Sequence, residues 1–198
     1  MNKEYAALKS SPLKTGSNFV RPVQKLPEHV KLASPALDVM TDLNKVSVIS
    51  VRAKTSMDKA NAKMIRYGVR LLLVLDDNDQ VAGLLTAADV LGEKPMRFLQ
   101  NMGGTHSDIM VRDIMSTQQD LEVLNIEDVK AASVGNIVAS LKKVDRQHAL
   151  VVKEDAAGNQ AVCGLFSLTQ IARQLGAQIQ TFELARTFAE IEAVIAQG

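Results

Sequence analysis

The sequence predicts an α/β protein of the α+β type: two tandem strand-helix-strand-strand-helix repeats packed with pseudo-twofold symmetry, followed by a C-terminal helix. Three observations carry this expectation. The string VAGLLTAADVLG at residues 81–92 returns as AVCGLFSLTQIARQLG at residues 161–176, with Gly83 aligned on Gly164 at an offset of 81. SMDKANAKMIRYGVRLLLVLDD from Ser56 is answered by SVGNIVASLKKVDRQHALVVKED from Ser133 at an offset of 77, and LDVMTD at residues 37–42 by RDIMST at residues 112–117. A unit of about 60 residues buries only a marginal core by itself, so two copies packed on each other around a central cleft are the expected solution.

The elements follow in order. Residues 1–35 carry six basic residues against two acidic ones, with Pro12, Gly16, Pro22 and Pro27 and no helical or strand period, and read as a basic arm draped on the surface or flexible. The first repeat spans residues 36–92. Its opening strand lies near residues 46–51. Ser56 is positioned to cap a helix whose Met57, Ala60, Met64 and Ile65 recur at helical spacing, and Gly68 stops it. Residues 71–75 form a continuous apolar strand, Asp76-Asp77-Asn78-Asp79 a turn and residues 81–85 a second strand, and a helix starts after Thr86. Residues 93–108 form a linker with a short helix after Pro95, ended by Gly103-Gly104.

The second repeat spans residues 109–176. Ser133 caps a helix with Val134, Ile137, Val138 and Leu141 facing inward, residues 149–152 and 161–166 supply the hairpin strands, and the opening strand lies near residues 121–124. The step in offset from 77 to 81 reads as a hairpin loop four residues longer, and NIEDVKAASVG as an inserted turn. Residues 177–198 form the last helix, capped by Thr181, whose stripe Leu184, Phe188, Ile191, Ile195 either packs back on the repeats or pairs with a second chain.

Composition excludes several classes. A net charge of +1 gives no general attraction to nucleic acid or an anionic membrane, no apolar run approaches a membrane span, and the N-terminus lacks the apolar core of a secretion signal. The single Cys163 leaves no internal disulfide, so a cytoplasmic location is expected and a buried, inert thiol. His29, His106 and His148 have no metal-ligand spacing, and no nucleophile–base signature marks an enzyme.

Two tandem units, each led in by D-[VI]-M and closed by G-h-h-[ST]-x-x-[DNQ], resemble a CBS domain pair (a Bateman module). VRDIMS, RQHALVV and GLLTAAD are the telling pieces, over roughly residues 36–176, and LGEKPM is similar to small bacterial proteins made of little more than such a pair. The resemblance implies a regulatory, non-catalytic sensor that pairs into a homodimer and acts on an effector protein not identified by the sequence. It requires no cofactor and binds an adenosyl ligand in the cleft: AMP, ADP, ATP, S-adenosylmethionine or a cyclic dinucleotide. By position it nominates Thr86 for phosphate or ribose, Asp89 for the ribose diol, backbone at Val48 and Ile49 for adenine, and Arg70 for phosphate. The matching positions in the second copy are Ser167, Gln170 and His148.

The same residues have a purely local reading. A hydroxyl followed three residues later by an acid or amide is a capping box, which Thr86/Asp89 and Ser167/Gln170 both satisfy without a ligand. A ligand-independent interaction or dimerisation module is then the alternative. Only the ribose separates the readings: Asp89 offers charge-assisted acceptors and Gln170 one neutral oxygen. The difference of about 1.4–2.8 kcal/mol makes the first-repeat site roughly 10- to 100-fold stronger.

Overall fold

A computed structural model describes residues 8–18, 23–177 and 184–196. A 3-10 turn at Ala36–Val39 leads into β1 (Thr41–Asp42), and β2 (Ser50–Arg52) follows after a loop. The helix α1 (Met57–Tyr67) ends where Gly68 turns left-handed at φ 63°, and the apolar run after it becomes β3 (Leu71–Leu75). β4 (Val81–Thr86), α2 (Ala87–Leu91) and the linker helix α3 (Lys94–Met102) complete the first half. The second half runs α4 (Val111–Ile114), β5 (Ser116–Thr117), β6 (Val123–Asn125), α5 (Ile126–Ala131), α6 (Val134–Lys143), β7 (His148–Glu154), β8 (Gln160–Ser167) and α7 (Leu168–Gln174). The last helix is α8 (Leu184–Ala196).

The expected α+β architecture of two repeats with a C-terminal helix is present, as two four-stranded sheets ordered β2-β3-β4-β5 and β1-β8-β7-β6. In each, the opening strand lies parallel to the first hairpin strand and the hairpin is antiparallel. The fourth strand is exchanged. β1, from the first repeat, pairs with β8, while β5, from the second, pairs with β4. The lead-in phrases follow their strands. Ala36, Val39 and Met40 are buried with the second repeat's core, and Val111 and Ile114 with the first repeat's. Gly83 and Gly164 mark where each exchanged segment lands. A Cβ on Gly83 would stand 2.3 Å from the Ser116 carbonyl oxygen, and one on Gly164 would stand 2.6 Å from Met40 Sδ.

Register corrects several sequence expectations. Leu73 faces Leu84 as Leu150 faces Leu165, and each hairpin has one bulge, between Val74 and Leu75 and between Val151 and Val152. Both hairpins close with the same turn. Asp76 Oδ1 accepts the amides of Asn78 and Gln80, and Asp155 Oδ1 those of Ala157 and Asn159. The extra four residues therefore lengthen the strands β7 and β8 rather than the loop. The opening strands begin later than expected, because residues 46–49 are loop, and the inserted turn of the second repeat is the helix α5. Ser56 stands at the N-cap of α1 without a side-chain cap bond, whereas Ser133 and Asn136 form a complete capping box on α6.

The two sheets meet through Leu71, Leu73, Leu84 and Leu150. Phe188 and Ile191 of α8 are buried with the second repeat, so this face of the helix packs back on its own chain, while Ile195 is exposed. Thr181 and the side chain of Leu184 lie outside the described residues. The arm is bound where described from residue 23 onward. Gln24 bridges the Met40 carbonyl and the Asp42 amide, and the Gln174 carboxamide donates to the carbonyls of Pro27 and Asp38. The counterpart of buried Ala172 at the same offset is Leu91 of the first repeat, which is 76% exposed.

Candidate functional site

The site grows from the junction of β4 and α2. Thr86 keeps extended backbone while the next residue turns helical, leaving the first amides of α2 without partners inside the helix. Asp89 closes that gap: its Oδ2 accepts from the Thr86 amide (2.8 Å) and from the Thr86 hydroxyl (2.7 Å). The Asp89 amide donates in return to Thr86 Oγ1 at 3.2 Å. The other carboxylate oxygen, Oδ1, is 2.6 Å from Lys94 Nζ, which also donates to the Ile114 carbonyl at 3.0 Å. The Asp89 side chain is 11% exposed and that of Lys94 45%.

The remaining exposure of Asp89 faces a cavity of about 510 Å³ between the repeats, lined on one side by Leu84, Thr86, Ala88 and Asp89. The opposite wall belongs to the second repeat. It is made by Leu121, Glu122, Val123 and Leu124 of the opening strand region and by residues 143–150, including Arg146 and His148, with the exchanged Ser116 at one edge. The volume suits a small molecule, and apolar walls with a few convergent polar groups are the usual makeup of such sites. His148 is half-buried here. Burial pushes its imidazole down to about 4; the Asp89 carboxylate opposes that shift and the Arg70 guanidinium adds to it. The ring is therefore neutral near pH 7, able to donate from one nitrogen and accept at the other.

The nominated residues do not assemble as one repeat's set. Thr86, Asp89 and His148 share the cavity, whereas Val48 lines a second one, of about 940 Å³, with Leu73, Val123 and Leu150. Ile49 packs against the first repeat's core, its carbonyl accepting from the Leu73 amide at 3.1 Å. Neither cavity is lined by Ile49, Arg70, Ser167 or Gln170. Arg70 is largely exposed, and partial desolvation and the nearby Arg173 lower its guanidinium from the ordinary value.

Two sequence readings of the second copy are corrected. Ser167 makes no side-chain cap bond, and Gln170 turns along the helix to donate to Gln174 Oε1 at 3.4 Å, so the second capping box is not formed. His148 is not the counterpart of Arg70. The Ala87 amide donates to the Arg70 carbonyl as the Leu168 amide donates to that of Gln147, and Leu71 faces Thr86 as His148 faces Ser167. Arg70 thus matches Gln147, and His148 matches Leu71.

Sequence reasoning missed the wall at residues 121–124, which only the packing of the sheets brings to Asp89. It also missed Lys94, which comparison at an offset of 81 would have singled out: Asp89 and Lys94 become Gln170 and Leu175, losing acid and cation together. Among the described residues no group of His, Cys, Asp or Glu could hold a metal ion. No helix among them is long and apolar enough to cross a membrane. Cys163 is buried in β8, and burial raises its thiol.

Comparison with known proteins agrees with this fold. Residues 36–95 match the CBS domain family. An uncharacterized conserved protein of Pyrococcus horikoshii is 22% identical, with a TM-score of 0.53, over 77% of this chain and 99% of that one. A CBS-domain containing protein of Agrobacterium tumefaciens is 15% identical, with a TM-score of 0.52, over 72% and 94%. CBSX2 of Arabidopsis thaliana, in its complex with AMP, is 21% identical, with a TM-score of 0.50, over 71% and 94%. No curated protein sequence matches the chain.

Proposed function

We propose that this chain, which matches the CBS domain family over residues 36–95 and has the fold of a CBS pair, is a regulatory sensor of adenosyl nucleotides. The observation that carries the reading is the cavity that sets Thr86 and Asp89 of one repeat against residues 121–124 and His148 of the other. In this proposal a ribose diol donates to the Asp89 carboxylate, the base lies against the backbone at residues 121–124, and phosphate extends toward His148 and Arg146. The AMP bound by CBSX2 supports the ligand class. The module acts by binding rather than catalysis and works as a homodimer, its ligand shifting the packing of the repeats. A weaker second site is proposed on Ser167 and Gln170, joined by Val48, Ile49 and Arg70, which the resemblance nominates beside Thr86 and Asp89.

Isothermal titration with AMP and ATP tests this. Wild type is expected to bind at least one of them, and Asp89→Asn to bind roughly 10- to 100-fold more weakly. Equal affinities, or no heat with either protein, defeats the proposal. One observation favours the alternative of a ligand-independent dimerisation module: both Asp89 oxygens already have donors within the chain. A melting temperature that is flat across adenosine and guanosine compounds, with a dimer present on gel filtration, would decide for that reading.

A further inference from the structure

The bonds of Lys94 form a unit that the two repeats build in different chemistry. In the first repeat its ammonium joins Asp89 Oδ1 to the carbonyl of Ile114, in the lead-in segment that has crossed from the other half of the chain. In the second repeat, Gln170 donates to Gln174, and the Gln174 carboxamide donates to the carbonyl of Asp38, in the reciprocal lead-in segment. Each repeat thus ties its closing-motif residue to the exchanged segment, through an ion pair in one and through neutral amides in the other. The acid and the cation change together.

A carboxylate on a short stem rotates freely about its last torsion, because that torsion is broad and nearly two-fold. Thr86 holds one oxygen and Lys94 the other, from opposite ends of the group. Asp89 borders the cavity and Lys94 is not among the cavity's lining residues, so the ammonium grips the carboxylate from the side of α3 and Ile114. The geometry points to Lys94 as the positioning residue of this site: it fixes the Asp89 carboxylate to face the cavity and binds it to the second repeat's lead-in segment. The role rests on the nucleotide reading above and acts wholly through Asp89.

A double-mutant cycle read by AMP titration tests it, with melting temperature recorded in parallel. Lys94→Met is expected to weaken AMP about fivefold, the upper range for an ion pair with one exposed partner, and Lys94→Arg to recover most of the loss. In an Asp89→Asn background, Lys94→Met is expected to change AMP affinity no further, because the group it positions is already gone. Equal AMP affinity in wild type and Lys94→Met overturns the role while leaving the nucleotide reading standing. The same fold loss in both backgrounds overturns it too, since it marks a general structural effect. A wild-type protein that binds no AMP and no ATP overturns the nucleotide reading and this role with it. Lys94→Gln, closer in length, repeats the cycle should Lys94→Met melt early.

Discussion

Acidification from pH 7 to pH 5 is expected to destabilise the folded chain through His148. Its imidazole is held at about 4 when folded, against an ordinary value of 6.5. Between these values the unfolded chain binds a proton that the folded chain refuses, so stability falls as pH falls. The full shift of about 2.5 units corresponds to about 3 kcal/mol, of which about 2 kcal/mol is lost between pH 7 and pH 5. Several carboxylates held low by hydrogen bonds, such as Asp42, Asp108 and Asp155, act in a window below this, since even their unfolded value is 3.8. Urea unfolding of wild type and His148→Gln at pH 7, 6 and 5 reads the effect. Wild type should lose about 2 kcal/mol more than the variant over that range. Equal losses in both proteins would refute the burial argument. A phosphate placed beside the ring would favour its charged form, so saturating AMP should flatten the wild-type slope.

Caps and glycines give two further tests. Thr86→Ala removes a formed cap and should cost about 1 kcal/mol, whereas Ser167→Ala, at a helix start without a side-chain cap bond, should stay within about 0.5 kcal/mol by urea unfolding. Gly83→Ala should cost about 2–3 kcal/mol and Gly164→Ala about 1 kcal/mol, because the first collides with a backbone carbonyl and the second with the buried but flexible side chain of Met40. Comparable losses for the two glycines would mean that Met40 is as rigid as backbone.

The duplication, the apolar hairpin strands and the Thr86–Asp89 box were legible because each rests on local pattern: period, continuous apolar runs and spacing along one turn. The exchange of β1 and β5 was not. Both are two-residue strands, Thr41–Asp42 and Ser116–Thr117, too short and too polar to carry a period. Their location had left one trace, the glycines at positions 83 and 164, whose missing side chains make room for the arriving segments. The site was half legible for the same reason. Thr86 and Asp89 lie three residues apart on one helix start, but the wall at residues 121–124 reaches them only through the packing of the sheets. Matching Arg70 to His148 by position slipped one residue from the repeat's own offset of 77, which leads to Gln147 as the ladder hydrogen bonds do. In place of a Ser167 box Gln170 bonds along the helix to Gln174, an option that Asp89, with no side-chain amide to donate, lacks.

The exchanged strands set an order of events for the newborn chain. Thr41 leaves the ribosome long before its partner Leu165 has been made, so the first strand among the described residues waits unpaired for the last. The sheet β2-β3-β4-β5 is closed by Ser116 and can finish early, while the sheet β1-β8-β7-β6 stays open until synthesis reaches β8. Loop closure over such a separation is slow, and an open apolar edge is exposed to wrong partners meanwhile. Variants that weaken β8 should therefore lower the yield of soluble protein more than they lower the stability of the molecules that complete folding.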